Sequence, residues 1–300
     1  MDWWLLYLLL NSGSNWWLYP LLGGTSFFTG IIGPMFGIGG GFLNVPAIQY
    51  VANEPINVAI GTSLFIIVFT SSSGTVEYAR KRVIDYKLGL VLAVASVPGG
   101  FLGAYLTGWV PGNILEAIFG VALVVVGINM LFRSGGRRSN PNSPQEAVKE
   151  EKKIIKRGIL SWKRTIKVAN GESYEYFVNV PLGLAFSFVA GLVSGLLGIG
   201  GGIVQVPVLN IALGVPMIVS VATSVFIIIF TSLVGSFEHV MLGQVNWQIG
   251  IVMMIGAVIG AQIGVRIAMR ISPNLLRKIF GLVLILISVQ MIYEAIIAFG

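Results

Sequence analysis

The chain has 300 residues, 55% of them hydrophobic and only 10% charged, with a mean hydropathy of +0.87, which leaves too little polar surface for a soluble domain and places the chain in lipid. It has no cysteine, which excludes disulfides, thiolate metal sites and cysteine nucleophiles. The net charge of +7 does not signal nucleic acid, because all the basic residues fall in three patches separated by apolar spans and uncharged or acidic loops.

Residues 1–15 open with MDWWLLYLLL, without a basic n-region or a small-residue cleavage site. They are expected to form an interfacial segment, rich in Trp and Tyr as membrane boundaries are, and not a signal peptide. Beyond them, sliding the sequence on itself by 161 positions aligns Ser26 to Gly127 with Ser187 to Ser288 without a gap, about a third of the positions being identical. The chain is therefore two copies of one membrane unit, residues 16–132 and 177–300, joined by a polar linker, residues 133–176. Each copy reads as an apolar segment A, a glycine cluster, a half-length segment, and three full spans B, C and D.

The first glycine cluster, GIGGGFLNVP, begins at Gly37, and the second, GIGGGIVQVP, at Gly198. Glycine is poor material for the middle of an apolar helix, and a broken helix inside a bilayer must bury its free backbone groups in protein or line a wet cavity. Paired interruptions of this kind build substrate sites in inverted-repeat transporters. The half-helix after each cluster would aim its free N–H groups inward, where they attract an anion. A dinucleotide loop is excluded, since Phe42 and Ile203 stand where a third spaced glycine would be needed. The plain alternative is close packing by small residues, which is the expected role of Gly99, Gly103, Gly260 and Gly264.

The candidate substrate site comprises Gly39, Gly40, Gly41, Asn44, Thr62 and Ser63 from the first copy, facing Gly200, Gly201, Gly202, Gln205, Thr223 and Ser224 from the second. The amides would face a pocket, and the hydroxyls would either donate to a bound oxyanion or bond their own helix carbonyls. Glu77 and Glu238, near the ends of span B, are the proton-coupling candidates. His239 is expected at the interface, and Arg266 and Arg270 are expected to snorkel to the boundary.

The basic patches are Arg80 to Lys87, Arg133 to Lys167 and Arg266 to Lys278, whereas the loops ANEP, VPGN and GQVN have no basic residue. By the positive-inside rule the linker and basic loops are cytoplasmic in a multi-pass protein of the cytoplasmic membrane. The first copy has its basic patch between B and C, and the second between C and D, so the copies are expected to be inverted. Segment A plus the half segment then starts and ends on one side, as a re-entrant hairpin would, because a piece of about 18 Å cannot span about 30 Å. In the linker, QEAVKEEKKIIKR has the charge spacing of a solvated helix, and TIKVANGESYEYFV alternates around an Asn-Gly turn as a β-hairpin would.

The expected fold is thus an all-α polytopic membrane protein of two inverted repeats, each a broken helical hairpin plus three transmembrane helices. No nucleophile with its base, metal-ligand spacing or Walker lysine is visible, so the sequence points away from an enzyme, a cofactor and bound ATP. The partners implied are a small anion and the lipid bilayer; self-association into a homo-oligomer is left open.

Two copies of G-x-G-G-G-x-x-x-x-P, each followed by a Thr-Ser pair in the next span (AIGTSLF and SVATSVF) and a small-residue C span, resemble the TauE/SafE family of membrane permeases. The resemblance covers the chain except for roughly the first fifteen residues and the linker. It implies movement of a sulfur-containing anion, such as sulfite or sulfoacetate, across the cytoplasmic membrane of prokaryotes. Export of a dianion can run down the inside-negative potential, at about 2.3 kcal/mol per charge per 100 mV; the alternatives are an anion channel and an uptake permease coupled to protons.

Overall fold

A computed structural model describes residues 17–106, 161–169, 171 and 173–299, with single helical positions at 124, 128 and 131. The amino-terminal interfacial segment, most of span D of the first copy and the charged stretch expected as a solvated helix lie outside the described residues.

In each copy a long helix is followed by a glycine break and a short helix. Helix α1 (Leu18–Phe36) leads to α2 (Gly41–Pro46), and α5 (Val180–Leu197) leads to α6 (Gly202–Pro207). Pro46 and Pro207 lack the N–H that an α-helix would use at that point. The chain continues from each as a π-helical turn, Ala47–Val51 and Val208–Ala212, the wider winding that accommodates a missing bond. Spans B and C are α3 (Ile56–Arg80) and α4 (Tyr86–Leu106) in the first copy, and α7 (Met217–Met241) and α8 (Trp247–Ala268) in the second, which ends in α9 (Pro273–Phe299). Among the described residues, α3, α4, α5, α7 and α8 are long and apolar enough to cross a membrane. Large apolar side chains such as Phe28, Val94, Phe237, Ile255 and Leu286 are exposed on the outside of the bundle, as lipid-facing residues of an all-α membrane protein are.

The copies interlock. Helix α8 of the second packs along α1 of the first, and α4 of the first along α5 of the second. Small residues make this approach possible. A methyl group on Gly256, Gly260 or Gly264 would collide with the carbonyl oxygen of Gly23, Phe27 or Ile31, and one on Gly99 or Gly103 with that of Phe188 or Leu192. The two B helices cross antiparallel: Gly61, near the start of α3, lies against His239 near the end of α7, while Gly74, near the end of α3, lies against Val225 near the start of α7.

One end of the bundle thus holds the end of α3, the start of α7 and the first basic loop. Here Arg266, at the end of α8, meets Glu77 of α3, with 3.4 Å between Nε and Oε1. Part of the linker arrives at the same end as strands β1 (Ser161–Lys167) and β2 (Ser173–Asn179), paired antiparallel with Ser161 opposite Asn179 and Lys167 opposite Ser173. Strand β2 runs directly into α5, whose N-cap Asn179 accepts from the N–H of Leu182. The other end holds the loop containing Glu54 and the loop Gly243 to Asn246, neither of which carries a basic residue.

Candidate functional site

The breaks are built from backbone conformations that a side chain strains. Gly37 (φ 75°) closes α1 and Gly198 (φ 67°) closes α5 in the left-handed region, their N–H groups returning to the carbonyls of Gly33 and Ser194. Gly40 and Gly201 then turn the chain back along the helix it has left. Gly40 lies against Thr29, whose hydroxyl also reaches Asn44 Oδ1 at 2.7 Å. In the second copy Gly201 lies against Ala190 and Ser194, and Gln205 Nε2 donates to Ser187 Oγ at 2.9 Å. Each long helix with its half-helix therefore forms a folded hairpin.

The two breaks meet at the crossing. A methyl group on Gly41 would overlap the Gly198 carbonyl oxygen, and one on Gly202 would overlap that of Gly37. Ile67 and Ile228 flank Gly39 from the two B helices. Among the described residues no side chain caps either half-helix. The bonds returning to the N-caps run from Leu43 and Asn44 to the Gly40 carbonyl and from Val204 and Gln205 to that of Gly201. The N–H groups of Gly41, Phe42, Gly202 and Ile203 stand ahead of them, so the positive end of each short helix sits at the crossing.

The Thr-Ser pairs bond across the copies and not to their own helix carbonyls. Ser63 Oγ donates to the Gly198 carbonyl at 3.0 Å and Ser224 Oγ to the Gly37 carbonyl at 2.9 Å, so each serine ties its B helix to the break of the other copy. Thr62 Oγ1 accepts from the N–H of Asn246 at 2.9 Å, and Thr223 Oγ1 from that of Asp85 at 3.1 Å. Asp85 and Asn246 occupy equivalent places in the repeat, and each caps the following C helix, from Oδ1 to the N–H of Leu88 or Ile249.

Asn44 and Gln205 are each 1% exposed, and each keeps one polar atom, Asn44 Nδ2 and Gln205 Oε1, with no hydrogen-bond partner among the described residues. A buried polar atom left unpaired costs about 1–3 kcal/mol. Among the hydroxyls that the sequence reading passed over, Ser194 shares this condition, as do Ser71 and Ser232, which are fully buried with no partner among the described residues. Ser71 and Ser232 lie one turn beyond Ile67 and Ile228 on the same helix faces. The available signal was Phe-Thr-Ser at 69–71, repeated at 230–232.

The two candidate carboxylates differ. Glu77 is ion-paired with Arg80 and Arg266 at 3.3 and 3.4 Å, whereas Glu238 Oε2 has no partner among the described residues. His239 is buried within the protein. It is 1% exposed, seated against Gly61, with Nδ1 2.8 Å from Gln244 Oε1; the missing side chain of Gly61 makes the room. The Arg266 side chain stays half exposed while pairing with Glu77. Among the described residues no three His, Asp or Glu side chains converge as metal ligands would.

The family described as sulfite exporter TauE/SafE matches residues 22–291, which takes in both breaks, both B helices and the linker between the copies. The chain belongs to the TauE/SafE family. It is 34% identical to the probable membrane transporter protein YunE of Bacillus subtilis, over 89% of this chain and 94% of the relative. Identity to the probable membrane transporter protein MJ0441 of Methanocaldococcus jannaschii is 26%, over 87% and 90%. The sulfite exporter TauE/SafE family protein 6 of Arabidopsis thaliana is 23% identical, over 76% and 69%. No solved structure matches. Membership of TauE/SafE and the names of these relatives make the chain a multi-pass membrane transporter; the crossed breaks are the feature of that architecture in which both copies contribute equivalent backbone to one place.

Proposed function

We propose that this transporter moves a small sulfur-containing anion, sulfite or an organosulfonate such as sulfoacetate, out of the cell by alternating access about the crossed breaks. The observation that carries the reading is the meeting of two half-helix N-termini, uncapped by any side chain, beside two buried amides that each keep an unpaired atom. Free N–H groups at the positive end of a helix suit an oxyanion, and matched donors from both copies let one anion be held while the helices around it rock. Gly39 to Gly41, Gly200 to Gly202, Asn44 and Gln205 would contact the anion. The Thr62-Ser63 and Thr223-Ser224 hydroxyls would hold the two copies in register around it.

The antiparallel crossing of α3 and α7 supports opposite passage of the two copies through the bilayer. The gathering of the first basic loop, Arg266 and the linker strands at one end supports a cytoplasmic placing of that end by the positive-inside rule.

The test is flux in proteoliposomes with sulfite, sulfoacetate, sulfate and chloride, with and without an imposed proton gradient. Saturable sulfite or sulfoacetate movement, accelerated by trans substrate, is the expected result. Ohmic current without saturation would make the protein an anion channel. Accumulation driven by protons would make it an uptake permease, and the unpaired carboxylate oxygen of Glu238 would then be the first place to look for the coupling proton.

A further inference from the structure

The linker hairpin is joined to the bundle at one point more strongly than a tether requires. Asp85 is fully buried. Its carboxylate receives Arg164 through both oxygens, with Nε to Oδ2 at 2.8 Å and a second, shorter bond from Nη2 to Oδ1. The Tyr176 hydroxyl donates to Oδ2 at 2.7 Å. Arg164 stands on β1 and Tyr176 opposite it on β2. The backbones are joined as well, from the N–H of Ala169 to the Lys81 carbonyl at 3.1 Å. Val168, Tyr176 and Val178 are buried with Val83, Ile84 and Leu88 of the first copy and Leu213 and Val215 of the second. The hairpin therefore grips the first copy while running directly into the second.

Pseudo-symmetry explains why a hairpin is needed here. At the other end Asn246, the counterpart of Asp85, has its side chain held by Glu54, with Nδ2 to Oε1 at 2.7 Å. The residue 161 positions after Glu54 is Val215, which has nothing to offer Asp85. The linker supplies what the repeat lacks. Both loops are also hooked to the opposite B helix, through Thr62 and Thr223, so each closes one end of the crossing.

We propose that the β1–β2 hairpin is the latch of the gate at its own end, with Arg164 and Tyr176 as positioning residues that hold the Asp85 loop against Thr223, and that it must release once in every transport cycle. The inference rests on the alternating-access reading above; a channel would not need the release. Opening this end separates Asp85 from Thr223 while the Asn246 end stays closed on Thr62 and Glu54, and the reverse holds for the other half of the cycle.

The absence of native cysteine makes the test direct. The pair Lys81→Cys and Ala169→Cys replaces residues whose backbones are already bonded, from the Ala169 N–H to the Lys81 carbonyl at 3.1 Å, and a disulfide joins Cα atoms about 4.4–6.8 Å apart. Oxidation should abolish sulfite flux in proteoliposomes, a reductant should restore it, and each single variant should transport like the parent. Sulfite flux at the parent rate with the disulfide formed would overturn the latch. In a second arm, Ile84→Cys beneath the hairpin is labelled with a charged maleimide in nanodiscs, where both faces are open to reagent. Adding Arg164→Gln should raise the labelling rate about tenfold and lower maximal sulfite flux without changing its half-saturating concentration, and Arg164→Lys should restore both in part. Unchanged labelling would also overturn the proposal. If the parent moves no sulfite at all, the anion reading falls, while the labelling arm still decides the latch.

Discussion

The two ends of the crossing are built from equivalent residues and closed by different chemistry. At one end Asp85 is dry and charged, held by Arg164 and Tyr176 from the linker; at the other Asn246 is half-buried and neutral, held by Glu54. Burial alone would push the Asp85 carboxyl up, but the hydrogen bond from Arg164, with those from the Leu88 N–H and the Tyr176 hydroxyl, outweighs it and holds the group below the usual carboxylate range. Tyr176 is pushed well above its ordinary value, by burial first and then by the neighbouring Asp85 charge, so it stays a donor at every physiological pH. A duplicated unit thus supplies a matched frame, and later divergence makes the two gates unequal: one is fastened by an ion pair that must be broken whole, the other by a hydrogen bond at the water's edge.

The largest effect should come where the two breaks touch. Gly202→Val places a side chain in the space of the Gly37 carbonyl and should prevent the two copies from closing, seen as loss of monodisperse protein on size exclusion. Gly24→Ala, with open space around it, should leave yield unchanged. Next in size is the contrast between the gates. Arg164→Met strands the buried Asp85 carboxylate and should cost about 3–5 kcal/mol, whereas Glu54→Gln at the opposite end should cost about 1 kcal/mol, both read from thermal or denaturant unfolding. If the two losses are equal, the gates are not unequal and the comparison fails.

Smaller and matched effects are expected from Thr62→Val and Thr223→Val. Each deprives a loop N–H of its acceptor and should cost about 1–3 kcal/mol, with no large difference between them. The smallest effect is one of pH. Because the folded Asp85 carboxyl lies below the unfolded value of about 3.9, its stabilisation is complete above that value and is lost as pH falls through the lowered one. This group's share of the stability, read from thermal unfolding, should therefore be flat from pH 8 to 5 and fall only in stronger acid, and Asp85→Asn should lessen that fall.

What was legible in the sequence was what the backbone itself demands. Gly37, Gly40 and Pro46 recur at an offset of 161 because turning a helix back and restarting it requires those residue types, so the break, the half-helix and the repeat could all be read. The partners of polar side chains could not. Ser63 bonds a carbonyl 135 residues away, Arg164 reaches a carboxylate 79 residues back, and Glu77 finds Arg266 across the copies; none leaves a local signature. The burial of His239 depends on Gly61, a glycine in the other copy, which its own neighbours in the chain do not announce. Ser71 and Ser232 were readable from the self-alignment but sat among residues that looked like helix filler.

The central claim is that the crossed breaks hold the transported anion. It is tested most directly by exchange of radiolabelled sulfite across proteoliposomes carrying the double variant Asn44→Ala and Gln205→Ala, at parent levels of incorporation and with parent labelling of Ile84→Cys. The account expects exchange to fall at least tenfold while the gate stays intact; exchange at the parent rate would contradict it.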